Sequence, residues 1–369
     1  MKGLEELHEY CRCMKVRKDV LRLMLLAVLS LLWCRGGAAL AQQSFVVMSY
    51  NVENLFDLED NPQQDDDEFL PEGNHHWTRA RYERKLHQLA EVLSCAGSVT
   101  SFPDLVGLVE VENASVLQDL LHHTALGENA DYSFAVSSGE DPRGINVALL
   151  YRKSSFIVLS TEEIALHFPF DSLKRTRPIL HVSGRVNSGD TLHVFVCHLP
   201  SRRAGAVLSD RYRRYAGLVL RSQCDRLGLR EHRRTHALIL GDFNGNPGEA
   251  ATFEALGSRP ISDYSLGSVC HGDRLFELSP RRGAGEPPGT YCFRGVWSQL
   301  DQIHVSDGLI ASDEGLRYEW ESAEILFRPF LGKGSPNSSF PIPYRTYGGP
   351  HYQGGYSDHY PILARFWIP

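Results

Sequence analysis

The chain has 369 residues, of which 42% are hydrophobic and 22% are charged. An apolar fraction of this size excludes an intrinsically disordered chain, while 32 glycines and 19 prolines argue against a coiled coil. The net charge of −7 excludes a generally basic coat protein for nucleic acid, so contact with a polyanion needs a local basic patch or a bound cation.

The first 41 residues have the organisation of a secretory signal peptide. The apolar run Val20–Trp33 follows a basic stretch, and Ala39–Ala41 has the small-x-small pattern of a cleavage site. With 14 positions that include Arg22, the run is shorter than the roughly 20 residues of a membrane span. We therefore predict a signal peptide over residues 1–41, one domain over residues 42–369, export to the periplasm or the medium, and no stable membrane span.

Five cysteines follow the predicted cleavage point, and export permits disulfides between them. Because the number is odd, at least one thiol stays unpaired unless it bonds to another chain. No C-x-x-C spacing is present, so a cysteine-based zinc site is not expected. The five are Cys95, Cys197, Cys224, Cys270 and Cys292.

Strands and helices alternate in the first half of the predicted mature chain. Asp57–Asn74 is an acidic stretch that we predict to be an exposed loop, and Asn113 is placed to cap the helix that follows it. The predicted strands are Ser44–Tyr50, Asp104–Val111, Tyr132–Val136, Asn146–Tyr151, Ile179–Val186 and Leu192–His198, and the predicted helices are Arg79–Leu93 and Ala114–His122.

The second half is predicted to contain one long helix and then mainly strands. The segment Asp307–Gly355 is rich in glycine, proline and aromatic residues, which predicts long surface loops. The predicted helices are Ser209–Leu227 and a short one near Glu249–Leu256, and the predicted strands are Ala237–Leu240, Leu300–Val305 and Tyr360–Phe366.

Many of these strands are amphipathic or wholly apolar, which favours two sheets packed face to face with helices outside. The competing fold is a doubly wound parallel sheet, which predicts a glycine-rich phosphate loop after the first strand. Here the first strand ends in Asn51-Val52-Glu53-Asn54. The sequence therefore favours the layered α/β sandwich.

Polar side chains of four types, Asn, Asp, Glu and His, recur at the ends of the apolar strands. One such residue is more often a turn residue or a helix cap, but caps alone do not explain so many. They are Asn51, Glu53, Glu110, Glu112, His198, Asp242, Asn244, Asp301, Asp358 and His359.

The residue types in this set predict a reaction class. Carboxylates with few histidines and no cysteine suit a hard cation such as Mg²⁺, Mn²⁺ or Ca²⁺. Histidine and asparagine can donate hydrogen bonds to an anion, and together with a divalent cation they provide what phosphoryl hydrolysis needs. No G-x-S-x-G elbow and no G-x-x-x-x-G-K-[ST] loop is present.

Six segments closely resemble the endonuclease/exonuclease/phosphatase superfamily. They are SYNVENLF, LVGLVEVEN, VCHLPSR, LILGDFNGNP, LDQIHVS and GGYSDHYPI, and they span about Ser44 to Phe366 in the order of that family. The family includes pancreatic-type deoxyribonucleases, apurinic-site endonucleases, neutral sphingomyelinases and inositol-polyphosphate 5-phosphatases. The resemblance, to an exported member of bacterial type, implies a four-layered α/β sandwich of two packed mixed β-sheets flanked by helices.

The resemblance also implies roles for the acidic residues. Glu110 looks like the principal metal ligand, although Val109 stands where the family usually has Gln. Glu53 looks like a secondary metal acid, and Asp358 is expected to bind or steer the metal. Glu112 is open to two interpretations, a helix-cap acid or a helper of the metal ligands. The implied cofactor is Mg²⁺, with Mn²⁺ or Ca²⁺ as alternatives.

The catalytic and substrate-binding residues follow from the same resemblance. His198 looks like a histidine that binds phosphate or stabilises the leaving group, and the pair Asp242 and Asn244 is expected to orient the nucleophile and the phosphate. In the pair Asp301 and His359, the carboxylate would fix the tautomer and the histidine would activate water.

Substrate contacts are expected from two asparagines and two arginines. Asn51 would position a phosphate oxygen or the Asp242 carboxylate, and Asn146 would line the site. Arg202 and Arg203 follow His198 closely, so we expect them to contact phosphate.

The leading hypothesis is an exported, metal-dependent phosphodiesterase, a nuclease that hydrolyses nucleic acid by water attack. The sequence leaves the oligomeric state open, and a monomer is favoured. One alternative is a phosphatase or phospholipase that acts on inositol-phosphate or sphingomyelin-like substrates. A third hypothesis, a catalytically inactive binding module on the same fold, is weakened because all the polar positions are present.

Overall fold

The computed structural model describes residues 43–96, 102–202, 205–265, 269–280, 283 and 285–368, together with Gly3. The chain divides into two units, residues 1–42 and residues 43–369, and the fold described here is that of the second unit. Apart from Gly3, the predicted signal peptide lies outside the described residues, as does Arg203.

The strands of the described chain are numbered in chain order. They are β1 (Gln43–Leu55), β2 (Leu105–Val111), β3 (Tyr132–Val136), β4 (Asn146–Arg152), β5 (Phe156–Ile164), β6 (Ile179–Val186), β7 (Thr191–His198), β8 (Thr235–Asp242), β9 (Ser258–Pro260), β10 (Leu275–Glu277), β11 (Tyr291–Phe293), β12 (Val296–Ser298), β13 (Asp301–Ser306), β14 (Arg317–Tyr318), β15 (Glu324–Ile325), β16 (Gly332–Lys333), β17 (Ile342–Pro343), β18 (Tyr347–Gly348), β19 (His351–Tyr352) and β20 (Ile362–Ile368).

The helices of the described chain are fewer, and two of them are long. They are α1 (Arg79–Ala96), α2 (Ala114–His122), α3 (Leu126–Asn129), α4 (Ala206–Asp225) and α5 (Gly308–Ala311), with 3₁₀ turns at Asp67–Phe69, Ile261–Asp263 and Pro329–Leu331 and a π-helical turn at Ala251–Ala255. Among the described residues, no helix combines the length and the apolar character needed to span a bilayer.

Most strands belong to two large mixed sheets. The first has the order β14-β20-β1-β2-β4-β3, with β15 also paired to β20, and the second has the order β5-β6-β7-β8-β13-β10-β9. In the first sheet β1 and β2 are parallel, and in the second β7 and β8 are parallel. These parallel neighbours bring the carboxyl ends of their strands to the same edge, where the predicted polar residues lie.

Successive side chains of a strand point to opposite faces of its sheet, and this alternation explains how the core is divided into layers. In β1, Phe45 and Val47 are buried in the core between the two sheets, whereas Met48 and Tyr50 belong to the core beneath α1 and α2. A third cluster packs α4 against the outer face of the second sheet, for example through Leu220. The result is the predicted four-layered α/β sandwich of two packed mixed β-sheets flanked by helices.

Several element boundaries agree with the sequence predictions, and others differ. The helix Ala114–His122 has the predicted bounds, and the Asn113 side chain accepts hydrogen bonds from two backbone amides of its first turn. Strand β5 was not predicted; it is an edge strand with much of its length exposed, which weakens its apolar pattern. The helix predicted near Glu249–Leu256 is only a single π-helical turn.

The acidic stretch between β1 and α1 is mostly an exposed loop, as predicted. Asp65, Asp67 and Glu68 are exposed there, but Asp66 is buried, which differs from the predicted exposed loop. All five cysteines of the described chain are free thiols, and Cys197 and Cys224 are buried.

The two sheets pack closely against each other at Gly107 in β2. A Cβ atom on this residue would lie 1.9 Å from Leu240 Cδ1 and 3.3 Å from Val196 Cγ1, both in the second sheet. The absence of a side chain at this position therefore sets the spacing of the central strands.

We predict that Gly107→Ala destabilises the protein by about 1–3 kcal/mol, because Leu240 must leave its position in a close-packed core. Urea unfolding would measure this change. Gly334→Ala is the matched control, since no heavy atom lies within 4 Å of a Cβ placed there. Equal stability of the two variants would contradict this account of the sheet spacing.

Candidate active site

Asp242, the last residue of β8, is the centre of the polar cluster. Its Oδ2 accepts a hydrogen bond from Asn51 Nδ2 at 3.1 Å and lies 3.6 Å from His198 Nε2 and 3.9 Å from His359 Nε2. Its Oδ1 accepts a hydrogen bond from the backbone N–H of Asn244 at 2.8 Å. Burial raises the pKa of Asp242 above its ordinary value, while the neighbouring His359 opposes that shift.

The strand register brings these groups together. His198 at the end of β7 is level with Asp242, and Asp301 at the start of β13 lies opposite Asp242 on the other side. Asn51 lies in β1 of the first sheet, and its side-chain amide donates a hydrogen bond to Asp242 in the second sheet. The site therefore lies at the edge where the two sheets meet.

Asp301 and His359 form the predicted carboxylate–histidine pair. Asp301 Oδ2 lies 2.7 Å from His359 Nδ1, and both side chains are buried. Burial by itself lowers the pKa of His359, but Asp301, Asp358 and Asp242 together raise it to about 10. Because Asp301 engages Nδ1, the other ring nitrogen, Nε2, is the one that faces Asp242.

Glu110 reaches the cluster through a distortion of β2. The register between β2 and β4 shifts between Val109 and Val111, and Glu110 has a φ of 67°, which non-glycine residues rarely adopt. Its Oε2 accepts a hydrogen bond from the backbone N–H of Asn54 at 3.2 Å, and its Oε1 lies 3.9 Å from His198 Nε2. The bulge thus turns a carboxylate toward the site.

Glu53 is placed differently from the prediction of a metal ligand. Its two carboxylate oxygens accept hydrogen bonds from the backbone N–H groups of Thr346 at 2.6 Å and Tyr347 at 3.2 Å. Burial raises the pKa of Glu53, and Lys85 counteracts this effect. In the structure Glu53 therefore holds a distant loop against the end of β1, and its metal role stays a prediction.

Asp358 lies at the rim of the cluster. Its Oδ1 is 4.0 Å from His359 Nε2, and its Oδ2 accepts a hydrogen bond from Arg345 Nη2 at 2.8 Å. Burial alone lowers the pKa of Arg345, but Asp358 and Glu53 outweigh it and raise this pKa, so the guanidinium stays charged. Arg345 was not identified from the sequence, because it lies in a loop without a strand-end signal.

Asn146 and Glu112 contact each other and nearby backbone groups. Asn146 Nδ2 donates to the Glu112 carbonyl at 2.7 Å, and its Oδ1 accepts from the N–H of Gly139 at 2.8 Å. Glu112 accepts from the N–H of Asp57 at 2.6 Å, and burial raises its pKa to about 8. Glu112 is therefore not the helix cap, a role that Asn113 takes.

Arg202, predicted to contact phosphate, is engaged with protein groups. Its Nη2 lies 2.7 Å and 2.9 Å from the two carboxylate oxygens of Glu249, and its Nε donates to the Asn244 carbonyl at 2.7 Å. A phosphate contact would compete with this ion pair. Asn244 is tied to the same region, because its Nδ2 donates to the Leu199 carbonyl at 3.0 Å.

Two buried basic side chains hold segments of the site in place, and they were not identified from the sequence. Arg177 donates to the carbonyls of His198 and Leu199, each at 2.8 Å, and pairs with Asp141 at 2.7 Å. Lys85 donates to Thr346 Oγ1 at 2.7 Å. Arg177 precedes β6 and Lys85 lies within α1, positions at which arginine and lysine are usually exposed, so no local pattern marks them.

The donor set fits a hard divalent cation. Glu110 offers a carboxylate that is 14% exposed, and the buried Asp301 Oδ1 has no hydrogen-bond partner in the described chain. All the acidic candidates supply oxygen ligands, which Mg²⁺, Mn²⁺ and Ca²⁺ prefer.

We predict that Asp301→Asn lowers the pKa of His359, because it removes the strongest charge that favours the imidazolium. Since the folded-state pKa of about 10 exceeds the unfolded value, the pair stabilises the wild-type fold below about pH 6.5 and loses this effect as pH rises through 10. NMR titration of the metal-free histidines would measure the shift. The internal control is His193, because burial lowers its pKa to about 4. A His359 pKa that stays the same in Asp301→Asn would contradict the pairing.

Comparisons with known proteins agree with this fold. The model of the Endonuclease/Exonuclease/phosphatase family matches residues 46–366, whereas no curated protein matches the chain.

Three solved structures illustrate the likeness in fold. A family protein from Bacteroides thetaiotaomicron is 16% identical, with 89% of this chain and 99% of that chain covered and a TM-score of 0.52. D. rerio TDP2, complexed with single strand DNA product, is 16% identical, with 88% and 99% covered and a TM-score of 0.51. ANGEL2, a 2',3'-cyclic phosphatase in complex with adenosine-2',3'-vanadate, is 16% identical, with 89% and 97% covered and a TM-score of 0.53. The family match over residues 46–366 shows that the chain belongs to the endonuclease/exonuclease/phosphatase family of phosphoric-ester hydrolases.

Proposed function

We propose that this hydrolase is an exported, divalent-metal-dependent phosphodiesterase that cleaves nucleic acid by water attack. The observation that carries the proposal is the convergence of Asn51, His198 and His359 on the buried carboxylate of Asp242. Such a cluster provides a proton acceptor and several hydrogen-bond donors within one small volume. Hydrolysis of a phosphodiester needs these groups on both sides of the phosphorus.

Glu110 is the residue that would hold the cation, and Asp358 would steer it from the rim. When bound, a divalent cation supplies charge neutralisation at the phosphate oxygens. Asn54 fixes the orientation of Glu110 by donating its backbone N–H to Oε2. This leaves Oε1 on the side of His198.

The side chains around Asp242 divide the remaining tasks. Asp301 holds Nδ1 of His359, so that Nε2 exchanges a proton with the attacking water. Asn51 orients Asp242, whose second oxygen is held by the backbone of Asn244. His198 lies between Glu110 and Asp242, where it would donate a hydrogen bond to a phosphate oxygen.

Nucleic acid is the substrate class that we favour. D. rerio TDP2, which shares the fold, was solved with a single-stranded DNA product, and ANGEL2 was solved with an adenosine-based vanadate. A phosphatase or phospholipase that acts on inositol-phosphate or sphingomyelin-like head groups is the alternative that the substrate tests below would reveal.

We predict that Glu110→Gln reduces the hydrolysis rate about 10²–10³-fold, because the variant keeps the shape of the side chain but loses the charge that anchors the cation. The assay compares plasmid DNA, RNA, bis-p-nitrophenyl phosphate and p-nitrophenyl phosphate, each with Mg²⁺ or with EDTA. Glu83→Gln, on the exposed face of α1, is the control and should keep the wild-type rate.

Two outcomes would count against this proposal. Wild-type activity that survives EDTA, together with an unimpaired Glu110→Gln variant, would remove the metal role of Glu110. Cleavage of p-nitrophenyl phosphate without cleavage of any diester would replace the nuclease with a phosphatase.

Export is proposed from the sequence alone, because residues 1–41 have the pattern of a signal peptide. After expression of the full chain in a bacterium, the protein in the periplasm or the medium should begin at Gln42. N-terminal sequencing measures this directly, and a chain that keeps its first 41 residues in the membrane fraction would refute it.

A further inference from the structure

A second group of carboxylates lies outside the active site, in the acidic loop that we define as residues 57–74 between β1 and α1. Asp60, Asp66 and Asp67 each offer one carboxylate oxygen there, and these oxygens all lie within 4.8 Å of one another. No other group of three or more acidic, histidine or cysteine side chains in the described chain is gathered as closely. Like charges at this separation repel one another, and a cation between them would offset that repulsion.

Asp66 is the residue that distinguishes this group from an ordinary solvated acidic surface. Its side chain is only 2% exposed. Its Oδ2 accepts one hydrogen bond, from the backbone N–H of Asn61 at 3.2 Å, but its Oδ1 is buried and has no hydrogen-bond partner. A buried carboxylate oxygen without a donor is costly, so it points to a missing partner of positive charge.

Asp66 is buried without acting as a helix cap or as a member of an ion pair. It precedes the 3₁₀ turn Asp67–Phe69, yet its side chain makes no capping hydrogen bond to that turn. The neighbouring acid Glu68 lies 3.6 Å from the imidazole of His75. Within the described chain, no lysine, arginine or histidine forms an ion pair with any of the three aspartates.

We propose that Asp60, Asp66 and Asp67 form a calcium site that is separate from the catalytic cation. The ligand atoms are all oxygens, as Ca²⁺ prefers, and no histidine or cysteine belongs to the group. Three carboxylates exceed the one or two by which Mg²⁺ is usually held, whereas Ca²⁺ takes six to eight oxygen ligands in a flexible geometry. Backbone carbonyls and water would complete the coordination.

The position of the site suggests what the ion would stabilise. The acidic loop is joined to the loop before β4 by a hydrogen bond from the Asp65 N–H to the Pro142 carbonyl at 2.7 Å. Gln64 packs against Gly144 in the same loop. These two loops line a cavity of about 600 Å³ that also includes Asn146. Calcium would therefore hold one wall of this cavity, which Glu112 and Asn146 also line.

The test is calorimetric titration with CaCl₂, together with thermal unfolding with and without CaCl₂. It uses the Glu110→Gln protein as background, so that the proposed catalytic ligand does not contribute to the heat. We expect this protein to bind one Ca²⁺ and to unfold at a higher temperature when Ca²⁺ is present. Asp66→Asn and Asp67→Asn should each weaken the binding at least about tenfold, because each removes one ligand charge.

Asp65→Asn is the matched control, since it removes the same charge from the same loop but lies outside the group. It should keep the affinity of the background protein. If Asp66→Asn fails to fold, the exposed ligands Asp60 and Asp67 provide the same comparison. Absence of calcium binding in the background protein would overturn the proposal, and so would an equal loss of affinity in Asp65→Asn and Asp67→Asn. Both readouts are independent of catalysis, so they do not depend on the proposed nuclease activity.

Discussion

The burial of the Asp242 carboxylate is the constraint on which the arrangement of the site depends. A carboxylate that is 2% exposed needs hydrogen-bond donors and positive charge around it. Strand β7 supplies His198, strand β13 supplies Asp301 with its partner His359, and the first sheet supplies the Asn51 amide. These donors meet only when the two sheets pack in one relative position, so sheet packing and site geometry stabilise each other.

The carboxylates of the active site and those of the acidic loop differ in how their negative charge is balanced. At the active site, Asp242 and Asp301 have histidine and asparagine neighbours within hydrogen-bond or ion-pair distance. In the acidic loop, Asp66 has one backbone donor and two further carboxylates beside it. The first group can accept and return protons during a reaction, whereas the second needs a permanently bound cation. This difference separates a chemical role from a structural one.

Much of the fold could be predicted because strand patterns are local. The strand predicted over Ser44–Tyr50 is present within β1, with Phe45 and Val47 in the core between the sheets and Met48 and Tyr50 in the core beneath α1 and α2. The edge strand β5 could not be predicted, since it has only one neighbouring strand and much of it is exposed. A strand of this kind is stabilised by its pairing partner more than by its own pattern.

The sequence by itself determined the layered sandwich and the strand ends at which polar residues gather, because both follow from short periodic patterns and from the direction of the chain. Only the tertiary structure decided what the long side chains contact. Glu53 binds backbone groups nearly 300 residues away, at Thr346 and Tyr347, and Arg202 pairs with Glu249. A flexible charged side chain takes the partner that distant packing places within its reach, and no local pattern encodes that partner.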